Sequence, residues 1–254
     1  GVNGMTTIAI YSNKGGVGKT AAAVNLAFLA AEGGERTLLC DLDAQGSSTF
    51  YFRIQPGIKR KARGLVKGAR KVLESVKETD YPLLDLLPAD FSHRKLDLEF
   101  ADQKNPKTRL SKALDPFKPA YDFLLLDCPP TINLLAENIF MAADLLITPL
   151  IPTTLSLMAH QQLLDFLEAQ GYRPERVHAF FSMVDGRKRL HRELIAEASA
   201  RNWRLLRTTI PYLSYIEQMG VHRAPVAAFA ASSPAAAAYR ELWQETRRLA
   251  ASAV

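Results

Sequence analysis

Cysteine is scarce in this chain. Cys40 and Cys128 are the only two among 254 residues, they do not form a CxxC pair, and each lies in an apolar run. That excludes a disulfide-stapled fold and a cysteine-caged metal, and leaves two buried thiols in a reducing compartment as the expectation. Long apolar runs are missing too, since no stretch reaches the ~18 residues that a membrane-spanning helix needs. No secretory leader is visible, so the expected location is the cytoplasm. Residues Gly1–Gly4, ahead of Met5, read as left over from expression, and residues 5–254 read as one domain. Acidic residues are the minority charge, 26 Asp and Glu against 32 Lys and Arg, for a net charge of +6. The imbalance is local. Lys59, Arg60, Lys61, Arg63, Lys67, Arg70 and Lys71 run with no acid between them. From Arg187 to Arg207, Lys188, Arg189, Arg192, Arg201 and Arg204 add to a second basic stretch opposed only by Glu193 and Glu197. Such patches favour a polyanionic partner.

What is present is an alternation of short β-rich runs with helical patterns. Strands are expected at Thr7–Tyr11, Thr37–Asp41, Leu83–Leu87, Phe123–Asp127, Leu145–Pro149, His178–Val184 and Leu205–Ile210. Between them lie helical patterns at Lys19–Glu32, Thr131–Met141, Thr153–Ala169 and Lys188–Ala200. That order predicts an α/β fold, one doubly wound and mostly parallel sheet covered by helices on both faces. A last helix is expected from Ser233-Pro234, with serine as its cap and proline in its first turn. Within Gln55–Asp80, Leu65, Val66, Ala69, Val72, Leu73 and Val76 recur with an amphipathic helical period.

The chemistry concentrates where the first strand meets the first helix, at Asn13-Lys-Gly-Gly-Val-Gly-Lys-Thr20. A glycine-rich loop between strand and helix points backbone N–H groups and a helix N-terminus at one anion, the arrangement phosphate requires. Gly15, Gly16 and Gly18 let the backbone wrap closely, Lys19 reaches the β- and γ-phosphates, and Thr20 offers its hydroxyl to Mg²⁺. Asn13 stands where the usual pattern has glycine, and an additional lysine, Lys14, follows it. Two further strands end in carboxylates. Asp41-Leu-Asp43 closes the second, and Phe123-Leu-Leu-Leu-Asp127 runs into Cys128-Pro129-Pro130. Strand ends of this kind line the ligand crevice of open α/β sheets.

The KGGVGKT string resembles the deviant Walker A loop of the ParA/MinD family, and the DLDAQ and DCPP turns resemble that family's later motifs, with Ala44 in place of a usual proline. The similarity runs from Met5 to about Arg248. It implies a P-loop ATPase that uses ATP and Mg²⁺. The nucleotide loop would comprise Lys14, Gly15, Gly16, Val17, Gly18, Lys19, Thr20 and Ala21, with adenine packing near Pro211 and Tyr212. Lys14 would reach across a homodimer to the partner's phosphates, Asp43 would orient the attacking water, and Thr20, Asp41 and Asp127 would serve the metal. Closest in kind are the ParA-type positioning ATPases, which implies non-specific DNA binding through Arg187, Arg189, Arg192 and Arg223, and an adaptor protein that stimulates hydrolysis. A membrane-cycling regulator like MinD and a small-molecule P-loop ligase or kinase are the alternatives. The first is disfavoured by the plain ending Leu249-Ala-Ala-Ser-Ala-Val254, and the second leaves the basic stretches without a use.

Overall fold

The computed structural model describes residues 4–67 and 69–253. The strands are β1 (Thr6–Ile10), β2 (Thr37–Asp41), β3 (Lys77–Glu78), β4 (Leu84–Leu87), β5 (Phe123–Asp127), β6 (Leu145–Leu150), β7 (Val177–Val184) and β8 (Leu205–Pro211). They form one sheet in the order β3-β4-β2-β5-β1-β6-β7-β8, parallel except for the two-residue β3. Helix α1 (Lys19–Glu32) leads from β1 to β2, and α2 (Ser47–Tyr51), α3 (Lys61–Lys67) and α4 (Ala69–Leu73) precede β3. Then come α5 (Leu96–Ala101), α6 (Arg109–Leu114), α7 (Leu134–Ala142), α8 (Thr154–Ala169), α9 (Arg189–Ser199), α10 (Ser214–His222), α11 (Val226–Phe229) and α12 (Pro234–Ser252). The predicted parallel, doubly wound sheet is therefore the observed one.

Strand alternation divides the core. Ile8, Ile10, Leu39, Phe123 and Leu125 pack under α1 and α12, whereas Ala9, Tyr11, Leu38, Cys40, Leu124 and Leu126 pack under α6 and α7. Tyr11 is fully buried, sits edge-on to Phe140 and donates its hydroxyl to the Thr131 carbonyl at 2.7 Å. Cys40 and Cys128 are buried free thiols, as expected. The edge strand β8 is closed to further pairing, because the Glu245 carboxylate on α12 accepts from the Arg207 and Thr208 N–H groups and from the Thr208 hydroxyl.

Helix α1 spans the residues expected, and the ends of α7, α8 and α9 lie within three residues of the periodic reading. The segment expected from Thr131 becomes helical only at Leu134, because Asn133 is extended and caps the helix by accepting from the Ala136 N–H at 3.1 Å. The Gln55–Asp80 stretch is a correction of another kind. Its helical period is split into α3 and α4, and its end turns into β3, antiparallel to β4. Leu65, Val66 and Val72 are buried as the period requires, but Leu73 is exposed. Gly68 and the Ala69 side chain lie outside the described residues.

Candidate functional site

The carboxyl ends of β2, β5 and β1 lie side by side, and each delivers part of one site. Asp41 and Asp127 are register partners on neighbouring strands, and Ile10 is level with Asp127 on the other side. By strand alternation Asp41 shares the face of Leu39 and Asp127 that of Leu125, the face under α1, so their carboxyl groups converge on the loop between β1 and α1.

That loop holds its shape by close contacts. The Lys14 N–H donates to Ser12 Oγ at 3.1 Å, and Val17 is buried. Gly16 and Gly18 have φ of +70° and +93°, a backbone region open to glycine at little cost. A Cβ on Gly18 would also stand 2.9 Å from Ser182 Oγ on β7. Gly18→Ala is therefore expected to destabilise the protein by about 1–3 kcal/mol, the cost of one strained backbone conformation. Denaturant unfolding measures this, and an unchanged midpoint would refute the close packing.

Lys19 is almost fully buried, and its Nζ donates to the Lys14 carbonyl at 3.0 Å. Burial holds its ammonium below the ordinary lysine pKa, against the attraction of Asp127, Cys128 and Asp43. Asp127 Oδ2 accepts from Thr20 Oγ1 at 3.0 Å and from Ser48 Oγ at 2.6 Å, while the buried Oδ1 has no partner. Asp41 Oδ2 accepts from the Thr49 N–H at 2.9 Å and hydroxyl at 2.7 Å, and Oδ1 accepts from the Asp43 N–H at 3.2 Å. Burial raises both carboxyl pKa values, and for Asp41 the neighbouring Asp127 adds to it. Asp43 is half-exposed, close enough to act on both Lys19 and Asp127, with Oδ1 taking the Gln45 N–H at 3.0 Å.

This donor set fits a nucleotide with a hard divalent cation. A desolvated lysine and the α1 N-terminus, which carries no side-chain cap, both want an anion. Among the described residues no three His, Cys, Asp or Glu side chains form a closed metal cage. Mg²⁺ needs none, since it takes one or two carboxylates, a hydroxyl and phosphate oxygens.

Every loop and strand-end residue expected from the sequence is brought to this end of the sheet. Ala21 is half-buried in the first turn of α1, while Pro211 ends β8 beside β7 and Tyr212 follows it, with the Tyr212 N–H donating to the Val184 carbonyl at 3.0 Å and its ring exposed. Ser48, Thr49 and Ser182 were not anticipated. The Ser47-Ser48-Thr49 run follows the Asp43 turn in sequence, but hydroxyls at a helix start look like ordinary caps until the fold sets them against two aspartates. The four arginines lie apart from the loop. Arg187 forms a two-pronged pair with Asp185, Arg189 pairs with Glu193 at 2.6 Å, and Arg192 donates to the Gly186 carbonyl. Arg223 is half-buried, with its guanidinium 4.4 Å over the Phe50 ring and Nε donating to the Phe50 carbonyl. A cavity of 490 Å³ lined by Thr6, Glu35, Asp122 and Arg247 lies at the opposite, amino end of the sheet and shares no residue with the site.

A parallel sheet whose central strand feeds a glycine-rich loop, flanked by strands ending in buried aspartates, defines a P-loop nucleotide triphosphatase. A family model described as an AAA domain, AAA_31, matches residues 5–173. The chain is 29% identical over 244 residues to the sporulation initiation inhibitor protein Soj of Bacillus subtilis, covering 94% of this chain and 96% of that one. It is 32% identical over 195 residues to the chromosome partitioning protein ParA of Myxococcus xanthus, covering 75% of this chain and 69% of that one. Among solved structures, cobyrinic acid a,c-diamide synthase from Mycobacterium smegmatis with bound ADP and magnesium matches at TM-score 0.81 and 25% identity, covering 96% and 94% of the two chains. The chain belongs to the AAA_31 family and, within it, to the ParA/MinD class of P-loop ATPases.

Proposed function

We propose that this ATPase is an ATP-driven positioning switch of the ParA kind. It binds ATP and Mg²⁺ at residues 13–20, closes into a sandwich homodimer, and in that state holds DNA without sequence preference until an adaptor protein stimulates hydrolysis. The observation that carries this reading is the pairing of a complete phosphate site with Lys14. Lys14 is half-exposed at the mouth of the loop, and Lys19, not Lys14, takes the inward position. A lysine in that place is suited to a triphosphate presented from outside, by a second subunit. Within the site, Asp43 would hold the attacking water, Asp127 and Thr20 would hold the metal, and Asp41 would support the metal's shell. The similarity to Soj and to ParA supports the positioning role.

DNA contact is assigned to Arg187, Arg189, Arg192 and Arg223, with the Lys59–Lys71 run as an additional patch. Local ion pairs lower the free charge of Arg187 and Arg189, but both side chains are more than four-fifths exposed, so phosphate can compete for them at little desolvation cost. Each phosphate neutralised releases counterions, and dimerisation doubles the number of phosphates engaged, so ATP gates the affinity. Replacing Arg189 and Arg192 with glutamate is expected to weaken ATP-dependent duplex binding by about 100-fold and to flatten the salt slope by roughly 0.9 for every phosphate that a protomer no longer neutralises. Gel shifts over a salt series, with dimerisation checked by light scattering, make the measurement. Unchanged DNA binding by a fully dimeric variant would leave these arginines as solvated surface. The similarity to a small-molecule synthase gives the competing reading, and ATP turnover that depends on an added carboxylic acid and not on DNA or an adaptor would favour it.

A further inference from the structure

The chain's least explained buried group near the site is His93, in the short 3-10 turn Phe91–Lys95 that follows β4. It is 3% exposed. Its Nδ1 accepts from the Asp90 N–H at 3.4 Å, completing a reciprocal cap in which the Asp90 carboxylate takes the Ser92 N–H at 2.8 Å. With Nδ1 an acceptor, the ring proton of the neutral imidazole resides on Nε2. Burial holds the ring neutral, lowering its pKa to about 4. Nε2 has no hydrogen-bond partner, although the ring's polar neighbours include the Asp41 carbonyl and the Asp43 carboxylate. Capping of the turn accounts for Nδ1 alone. A buried donor without a partner is costly, and the Asp41–Asp43 turn supplies the polar groups beside it.

We propose that His93 is a positioning residue for Asp43, its Nε2–H closing on the Asp41 carbonyl when nucleotide draws the Asp41–Asp43 turn toward the phosphate loop. This rests on the reading of Asp43 as the group that aligns water. The contacts of Thr49 to Asp41, of the Asp43 N–H to Asp41 and of the Gly46 N–H to the Asp43 carbonyl at 2.9 Å are internal to residues 41–49. Outside that segment, the Leu42 N–H donates to the Asp127 carbonyl on β5 at 3.0 Å, and Thr49 Oγ1 accepts from the Ala89 N–H after β4 at 2.9 Å. His93 adds a second tie to the segment after β4, made to the turn itself.

The two ring nitrogens can be tested separately. In His93→Gln the amide nitrogen reaches the Nε2 position and keeps the donor, while the cap acceptor is removed. In His93→Asn the amide oxygen replaces Nδ1 and keeps the cap, while the donor is removed. Single-turnover ATP hydrolysis, ATP affinity and thermal midpoint are measured for both, beside His93→Ala and Asp43→Ala. Positioning requires that Asn and Ala slow hydrolysis by about tenfold, the worth of one hydrogen bond, with ATP affinity unchanged, and that Gln restores the rate to within about twofold. Normal hydrolysis in Asn with loss in Gln makes His93 a cap only and overturns the proposal, as do normal rates in all three variants. Loss of rate, affinity and thermal midpoint together in Gln and Asn alike overturns it as well. A normal rate in Asp43→Ala locates the failure in the reading of Asp43 itself.

Discussion

Replacing Lys19 with alanine is expected to lower ATP affinity by about 100-fold or more, the combined worth of two charge-assisted hydrogen bonds to phosphate. Lys19 is buried, its ammonium is already stripped of most water, and its one hydrogen bond in this structure is to the Lys14 carbonyl 3.0 Å away. Phosphate oxygens replace that neutral acceptor with a charged one, so much of the desolvation cost is met before the ligand arrives. Lys14→Ala provides the contrast. On the proposed reading its half-exposed side chain serves a neighbouring subunit's nucleotide, so this variant should bind ATP within about threefold of the parent and yet remain monomeric with ATP and Mg²⁺. Calorimetry and light scattering separate the two lysines. Unaltered ATP affinity in Lys19→Ala would remove the phosphate loop from the reading, and a fully dimeric Lys14→Ala would remove Lys14 from the subunit contact.

Asp43→Ala is expected to slow ATP turnover by about 100-fold while leaving ATP affinity within about threefold, because misaligning the attacking water costs far more in the transition state than in the bound ground state. The structure keeps Asp43 distinct from the two aspartates behind it. Asp41 and Asp127 are buried and held by hydroxyls, whereas Asp43 is half-exposed. On the proposed reading it is the carboxylate that meets a water on the γ-phosphate. The variant should therefore accumulate as an ATP-bound dimer and stay on DNA, read out as a longer dissociation time after ATP is withdrawn. A normal rate with saturating adaptor would reassign the role. Asp127→Ala should behave differently, losing Mg²⁺-dependent binding, since its Oδ2 collects the hydroxyls of Thr20 and Ser48.

Much of this site was legible because its determinants are local. A glycine-rich loop between a strand and a helix is one continuous stretch of backbone, and the conformation it needs, with φ of +70° at Gly16 and +93° at Gly18, is written in which residues lack a Cβ. Asp41 and Asp127 were likewise expected at the site because each closes an apolar strand pattern, and strand ends line the ligand crevice of an open α/β sheet. The parallel sheet followed from the order of strand and helix patterns, because parallel neighbours need a crossover between them.

What lay beyond the sequence depends on which distant segments meet. The register that levels Asp41 with Asp127 is a property of two strands more than eighty residues apart, and the acceptance of the Thr20 and Ser48 hydroxyls by one Asp127 oxygen joins residues 107 and 79 apart in the chain. The basic Gln55–Asp80 stretch read as one amphipathic helix, but β4 offered a free edge and its end pairs there as β3. Arg223 was expected to face DNA, and only the fold shows its guanidinium lying over Phe50, because α10 packs against α2. Local chemistry, periodicity and handedness belong to the chain and can be read along it. Register, burial and the partners of a charged group belong to surfaces that exist only after folding, when the low-dielectric interior decides which polar groups are satisfied and which, like His93 Nε2, are left waiting.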